Sequence, residues 1–292
     1  MNKVSKILIG SFVWICLFSL SSCVSVSGSR DYYVSGTEAI VSSGKIVTKN
    51  VAVKSDFNVI SVPDIIDVVV KQGNTSDITI KGSDNIVPYC NVSIQNGTLT
   101  VSLTKEATKL SFRKFDATVY VTVKELSQVV IHGTGDVKFE GEFNSPELSL
   151  LITGTGDIKI PHFIGYKLKA MIPGTGDIEM RADCVTADLT ITGTGDIDAE
   201  LKGVEDLRAS VSGTGDITLY GDAKKATYTV SGTGDIEARK MIVGTVHATS
   251  SGTGDIDCYA TDYFHGIQSA TAKVKCHGNP KKMDMIKQVV NI

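Results

Sequence analysis

The sequence lacks a basic excess, because its 29 lysines and arginines are outnumbered by 32 aspartates and glutamates. A net charge of −3 excludes the strongly basic face on which general nucleic-acid binding depends. The six cysteines show no C-x-x-C or similar spacing, so the sequence predicts no redox motif, no metal site and no cofactor. Between 57 and 280 no segment carries a helical apolar stripe, which indicates an all-β chain.

Long hydrophobic runs are also scarce. The apolar run from Ile7 to Leu20 has 14 residues, which is too short to cross a bilayer comfortably. Two lysines precede it and small residues follow it, so residues 1–22 are typical of a signal peptide. We therefore expect an exported protein.

The end of this segment, Leu20-Ser21-Ser22-Cys23, resembles the lipobox of bacterial lipoproteins. In such proteins cleavage leaves an N-terminal cysteine whose thiol carries diacylglycerol. We expect Cys23 to be this lipid attachment site. The lipid would hold the protein at the cell envelope, at the outer membrane. Residues 23–56 are then expected to form the lipidated cysteine and a flexible tether. An ordinary secretory signal with a chance cysteine and a permanent transmembrane anchor are the alternatives.

One tetrapeptide repeats along the second half of the chain. Gly-Thr-Gly-Asp occurs seven times, at intervals of 19 to 21 residues, beginning at Gly133, Gly154, Gly174, Gly193, Gly213, Gly232 and Gly252. A degenerate eighth copy is expected at Cys276-His277-Gly278-Asn279-Pro280. A fixed period of this kind indicates a repeat architecture.

Each repeat has the pattern of a half-buried strand. Apolar residues alternate before the motif, as in Leu148, Leu150 and Ile152, and Val or Ile follows every Asp. A period of about 20 residues suits one coil of a parallel β-helix, whereas a propeller blade needs roughly 40 to 50. Residues 57–280 have room for about 11 such coils.

These observations divide the exported chain into three parts. Residues 57–132 are expected to form irregular N-terminal coils and a cap, residues 133–280 the Gly-Thr-Gly-Asp β-helix, and residues 281–292 a C-terminal cap or last strand. The four cysteines after Cys23 are expected mainly as small buried hydrophobes, without a disulfide between Cys184 and Cys258.

The alternation continues through the motif, so both glycines face the core at a corner while Thr and Asp face solvent. A hydroxyl-rich, acidic face of this kind suits a glycan, a protein ligand or cations. The alternative is that each Asp only accepts backbone N–H bonds in the corner. The candidate binding face consists of Thr134, Asp136, Thr155, Asp157, Thr175, Asp177, Thr194, Asp196, Thr214, Asp216, Thr233, Asp235, Thr253 and Asp255.

Three passages, in this order, resemble the autotransporter adhesin head domain of the GIN type. They are an F-x-V-type start at 57–70, a G-x-L-x-V strand at 97–101, and a V-T-V-x-x-L passage at 121–137 that leads into the repeats. The resemblance covers 57–280. It implies a single-stranded, right-handed parallel β-helix, often on an exported lipoprotein of the Bacteroidetes, and no catalytic residues.

The same repetition argues against an enzyme. A glycoside hydrolase needs one pair of carboxylates in different environments, whereas these carboxylates are equivalent and spread along the whole repeat region. The sequence therefore predicts a non-enzymatic cell-envelope lipoprotein that acts as an adhesin-like or structural binding module. A polysaccharide-binding or polysaccharide-degrading β-helix is the alternative.

If Cys23 carries the lipid, Cys23→Ala removes the only attachment group and releases the protein from the membrane fraction. Cell fractionation and immunoblotting measure this, with Cys90→Ala as the matched control that stays membrane-bound. Retention of the Cys23→Ala protein in the membrane would contradict the lipobox assignment.

Overall fold

The computed structural model describes residues 30–269 and 271–287. It is nearly all β, with 2% helix, and forms a β-solenoid of about 8 turns with coils of ~20 residues. The predicted fold class is confirmed. Among the described residues, no helix is both long and apolar enough to span a bilayer. Residues 1–29, including the proposed signal peptide and Cys23, lie outside the described residues.

The first half of the chain is irregular. Its strands are β1 (Arg30–Tyr32), β2 (Ala39–Val41), β3 (Ile46–Val51), β4 (Val59–Val62), β5 (Asp67–Gln72), β6 (Asp77–Ser83), β7 (Cys90–Gln95), β8 (Thr98–Leu103), β9 (Ser111–Phe115), β10 (Thr118–Val123) and β11 (Gln128–Ile131). Two 3₁₀ helices, Val87–Tyr89 and Ala107–Lys109, interrupt them.

The structure has about 8 turns where the period suggests about 11. Strands β7 and β8 form an antiparallel hairpin, and β6 is antiparallel to both β3 and β10. Much of residues 77–115 therefore builds hairpins and short helices instead of stacked coils. The stack continues below the repeats through β4 and β5, which pair in parallel with β11 and β12. Each of these two strands also has a second parallel neighbour, β8 for β4 and β10 for β5.

Residues 30–51, part of the expected tether, form β1 to β3. Strands β1 and β2 pair with β9 in a separate three-stranded sheet, and β3 pairs with β6. Tyr32, Ile40, Val47 and Val51 pack against the hydrophobic core. This packing shields apolar surface at the N-terminal end of the solenoid, which a solvated tether would leave exposed.

The regular coils stack in parallel. Their strands are β12 (Val137–Glu140), β13 (Glu142–Asn144), β14 (Glu147–Ile152), β15 (Ile158–Ile172), β16 (Ile178–Ile191), β17 (Ile197–Val211), β18 (Ile217–Val230), β19 (Ile236–Ser250) and β20 (Ile256–Gln268).

The apolar residue after each Asp forms one interior column. Val68, Val137, Ile158, Ile178, Ile197, Ile217, Ile236, Ile256 and Val274 pair in register through successive coils. Each of them is at most 3% exposed. Burying a side chain of this size contributes about 1.5–3 kcal/mol. The predicted stacking of the first four repeats is confirmed.

The C-terminal end is closed by two short strands, β21 (Val274–His277) and β22 (Lys282–Lys287). Both pair in parallel with β20. The segment expected as a cap or last strand thus contributes β22, and residues 288–292 lie outside the described residues.

The glycines of the motif allow the coils to stack at the corner. A Cβ atom on any of the motif glycines from Gly154 to Gly254 would lie 1.9–2.2 Å from the carbonyl oxygen of the matching glycine one coil earlier. These glycines do not have positive φ angles. Close approach of neighbouring backbones, and not a left-handed turn, therefore requires glycine here.

Gly195→Ala should destabilise the protein by about 1–3 kcal/mol, the usual cost of overpacking, because its Cβ would lie 2.0 Å from the carbonyl oxygen of Gly176. Thr194→Ala, at the exposed neighbouring position, is the matched control with an effect within about 0.5 kcal/mol. Chemical denaturation measures both. Equal stabilities for Gly195→Ala and wild type would contradict the close-approach argument.

Candidate functional site

The motif threonines and aspartates form two columns on one surface of the solenoid. The predicted alternation is confirmed: in the copy at 213–216, Thr214 and Asp216 are exposed while Gly215 is buried. All seven threonines of the candidate face are exposed, and its aspartates are exposed or half-buried. The structure thus brings all fourteen predicted residues onto one continuous surface.

Each Asp carboxylate accepts a hydrogen bond from the next coil. Its Oδ1 atom accepts the backbone N–H of the following motif Asp at 2.6–2.9 Å, from Asp136 through Asp255. The adjacent Thr N–H donates to the first motif glycine of the preceding coil at 2.9–3.0 Å. We call this column of carboxylates the aspartate ladder.

These bonds explain how like charges tolerate the stacking. Unit charges about 4.8 Å apart repel by about 0.9 kcal/mol in water. A hydrogen bond to a charged acceptor contributes about 1.5–3 kcal/mol. One N–H per carboxylate therefore offsets the repulsion between neighbouring carboxylates. This agrees with the alternative drawn from the sequence, in which each Asp only accepts backbone N–H bonds in the corner.

The ladder begins one coil before the first motif. Asp67 accepts the backbone N–H of Asp136 at 2.9 Å, and its side chain is largely buried. Arg30, on β1, contacts Asp136 Oδ2 and lies 3.3 Å from Asp67 Oδ1. Burial raises the pKa of Asp67 to about 6, although the N–H of Asp136 and the charge of Arg30 both act to lower it.

Further along the ladder, burial also raises the pKa of Asp157, with its charged neighbours Asp136 and Asp177 adding to the effect. Burial also raises the pKa of Asp198, which lies two positions after Asp196. At these two carboxylates, protons therefore bind more readily than to free carboxylates.

The ladder ends at Lys273, whose N–H donates to Asp255 Oδ1 at 2.7 Å. Val274 pairs with Ile256, so Thr271-Ala272-Lys273 occupies the position of the motif in the last coil. The prediction of a degenerate eighth copy at 276–280 is wrong. The register with β20, which the sequence spacing does not reveal, places the last copy at 271–273.

A shallow groove runs beside the ladder, formed by the residues two and four positions after each Asp. Three adjoining depressions of about 350–430 Å³ share lining residues along it. The groove is lined by Lys138, Lys159, Glu179, Arg181, Asp198, Glu200, Tyr220, Glu237, Arg239, Lys240, Asp257 and Lys275.

Charged side chains of the groove are partly paired with each other. Lys159 Nζ lies 2.5 Å from Glu179 Oε2, and Arg181 Nε lies 3.0 Å from Glu200 Oε2. Lys240 lies over the ring of Tyr220, with its Nζ 5.1 Å from the ring centroid. The groove thus offers acceptors, donors and one aromatic face to a ligand.

Three residues at the ends of the aspartate ladder, Asp67, Arg30 and Lys273, are not among those predicted from the sequence. Asp67 carries a usable signal, because it precedes Val68 as each motif Asp precedes Val or Ile. Arg30 and Lys273 carry none, since neither lies in a recognisable motif. Among the described residues, no group of three or more His, Cys, Asp or Glu side chains could hold a metal ion.

The chain matches the sequence model of a family described as "Putative auto-transporter adhesin, head GIN domain" over residues 56–217 and 185–280. A search of curated proteins gave no match.

Solved structures have the same fold. A "putative adhesin" from Parabacteroides merdae aligns with a TM-score of 0.65 and 23% identity, covering 86% of this chain and 97% of that one. A "putative adhesin" from Parabacteroides distasonis gives 0.62 and 19%, covering 86% and 98%. A "putative lipid binding protein" from the same species gives 0.62 and 18%, covering 86% and 97%.

The raised pKa of Asp67 has a consequence for stability. Its carboxyl ionises near pH 6 in the folded state and near 3.8 when unfolded, so folding stability falls as pH rises through this range. Asp67→Asn should remove this loss. Its stability relative to wild type should grow by up to about 3 kcal/mol between pH 3.5 and pH 7.

Urea denaturation across this pH range measures the effect. Asp216→Asn, at the equivalent but exposed position, is the matched control. If the stability curves of wild type and Asp67→Asn run parallel from pH 3.5 to 7, burial of the Asp67 carboxyl does not shift its pKa.

Proposed function

The chain belongs to the auto-transporter adhesin head GIN domain family, and we propose that it is a non-catalytic adhesin-like module of the cell envelope that binds an extended glycan along the groove beside the aspartate ladder. The observation that carries this proposal is the continuity of the groove over successive coils. Three depressions with shared walls form one elongated surface.

A polymer with its own repeat suits a surface of this kind. Each coil adds a similar set of outward side chains at a spacing of about 4.8 Å. Both carboxylates and amines line the groove, as in Lys159, Glu179 and Asp198, so hydroxyl groups of a sugar find both acceptors and donors. The exposed ring of Tyr220 offers an apolar face for a sugar ring to pack against.

The columns of candidate Thr and Asp residues border the groove along one side. From Asp157 onward, one carboxylate oxygen of each ladder Asp accepts an N–H from the next coil, which leaves its second oxygen available outside, whereas the second oxygen of Asp136 contacts Arg30. The threonine hydroxyls stand exposed beside it. We assign these columns a supporting role in ligand contact, with selectivity in the groove.

Binding is favoured over cleavage because the ladder carboxylates repeat one environment. Hydrolysis of a glycosidic bond needs an acid and a base or nucleophile with different pKa values and one defined separation. Each ladder carboxylate accepts the backbone N–H of the following coil in the same way, so no pair of them is set apart as acid and base. A repeated surface of this kind suits many similar contacts along a polymer chain.

The proposed position at the cell envelope rests on family membership together with the signal peptide and Cys23. A lipid on Cys23 would tether the solenoid to the outer membrane through the residues that precede β1.

Tyr220→Ala should weaken glycan binding about three- to tenfold, through loss of the aromatic face. An array of plant, microbial and animal glycans identifies a ligand, and calorimetric titration then measures the affinity. Tyr166→Ala is the matched control, because Tyr166 is 60% exposed and does not line the groove.

Two results would contradict the proposal. One is an array on which the folded protein binds no glycan. The other is equal weakening by Tyr166→Ala and Tyr220→Ala, which would place the ligand elsewhere on the solenoid.

A further inference from the structure

Two cysteines lie side by side at the C-terminal end of the solenoid. Cys258 on β20 and Cys276 on β21 are in-register partners of adjacent parallel strands. Cys258 Sγ lies 3.4 Å from the carbonyl oxygen of Lys275, the residue before Cys276. Cys258 is fully buried, whereas Cys276 is half-buried and reaches the surface.

The other described cysteines have a different setting. Cys90 and Cys184 are buried free thiols on strands far apart in the stack. Burial raises the pKa of Cys90 to about 12 and that of Cys184 to about 11, which makes both thiols unreactive. The expectation that the cysteines are mainly small buried hydrophobes holds for these two.

The spacing of the pair fits a disulfide. Adjacent strands lie about 4.8 Å apart, and disulfides join Cα atoms that are about 4.4–6.8 Å apart. Because the two residues are in register, their side chains leave the strands toward the same side of the sheet. The backbone therefore needs no rearrangement to bring the two sulfur atoms together.

We propose that Cys258 and Cys276 form a thiol–disulfide exchange site whose co-substrate is an oxidised disulfide partner, either a small molecule or a dithiol protein. The Cys276 thiolate attacks one sulfur of the partner disulfide, which releases the first partner thiolate and leaves a mixed disulfide on Cys276. The Cys258 thiol then loses its proton and attacks Cys276 Sγ, which releases the second partner thiolate. The two cysteines are oxidised by two electrons and the partner disulfide is reduced to two thiols.

The order of these steps follows from the surroundings. The adjoining Cys258 thiol lowers the pKa of the Cys276 thiol. The same contact, with burial, raises the pKa of Cys258. The exposed sulfur is thus the better first nucleophile, and the buried sulfur is reached only from within the protein.

The bond would fasten the last coil to the solenoid. It closes a loop between residues 258 and 276, which contains the end of the aspartate ladder at Lys273. Cross-linking restricts the unfolded chain and raises the melting temperature.

Oxidised glutathione is the probe for this site. The purified full chain is incubated with it, the remaining thiols are blocked, and tryptic peptides are mapped by mass spectrometry. Trypsin separates the pair, because cleavage after Lys240, Lys273, Lys275 and Lys281 yields peptides 241–273 and 276–281. The expected product is these two peptides joined by a disulfide, together with a melting temperature a few degrees above that of the reduced protein.

Cys276→Ser should lose both the linked peptide and the thermal shift, whereas Cys184→Ser and Cys90→Ser should retain both. Glutathione stably attached to Cys276 without a linked peptide would overturn the proposal. So would a cross-link that involves Cys90 or Cys184, or full recovery of unmodified thiols on Cys258 and Cys276.

Discussion

Main-chain contact between successive corners is the constraint on which the rest of the solenoid depends. The corner must turn the chain while its backbone stays within hydrogen-bonding distance of the corner below. Each first glycine of the motif accepts an N–H from the threonine of the next coil at 2.9–3.0 Å. Because a Cβ atom would lie about 2 Å from a carbonyl oxygen there, only glycine permits this approach. The carboxylate of each Asp then accepts the backbone N–H of the next motif Asp, which donates to no backbone carbonyl.

This constraint separates the positions that must repeat from those that are free to vary. Gly, Thr, Gly and Asp recur unchanged in seven copies, whereas the position two after Asp reads Lys, Lys, Glu, Asp, Thr, Glu and Asp. The stacking accounts for the two glycines and the Asp by itself, so the recurrence of these three residues is weak evidence for a ligand. The second set projects into the groove and is not needed for stacking, so its variation along the solenoid can shape a binding surface without disturbing the fold.

The sequence predicts the parts of the structure that repeat, and it fails where pairing is decided by distant residues. The period of 19 to 21 residues and the alternation through the motif are enough for the solenoid, the interior column from Val137 to Ile256, and the exposed Thr and Asp. Strands β1 to β3 are short and lack a clear alternation, and they form because β6 and β9 offer unpaired edges far along the chain. The last copy is missed for a related reason. Thr271-Ala272-Lys273 occupies the position of the motif but contains neither glycine nor Asp, so a motif search does not find it.

The two ends of the aspartate ladder show how the solenoid is terminated. Every carboxylate accepts from the coil that follows, so the column has a direction, and each end needs its own solution. At the first end Asp67 is largely buried and adjoins Asp136, and Arg30 places one positive charge against both carboxylates. At the far end the position of the next Asp is occupied by Lys273, which still donates its N–H to Asp255 but adds no further carboxylate. Arg30 thus supplies a counter-charge at the first end of the ladder, whereas the backbone N–H of Lys273 ends it at the other. This explains why β1, outside the repeats, belongs to the folded unit: without Arg30 the most buried carboxylate of the column would face its neighbour without a counter-charge.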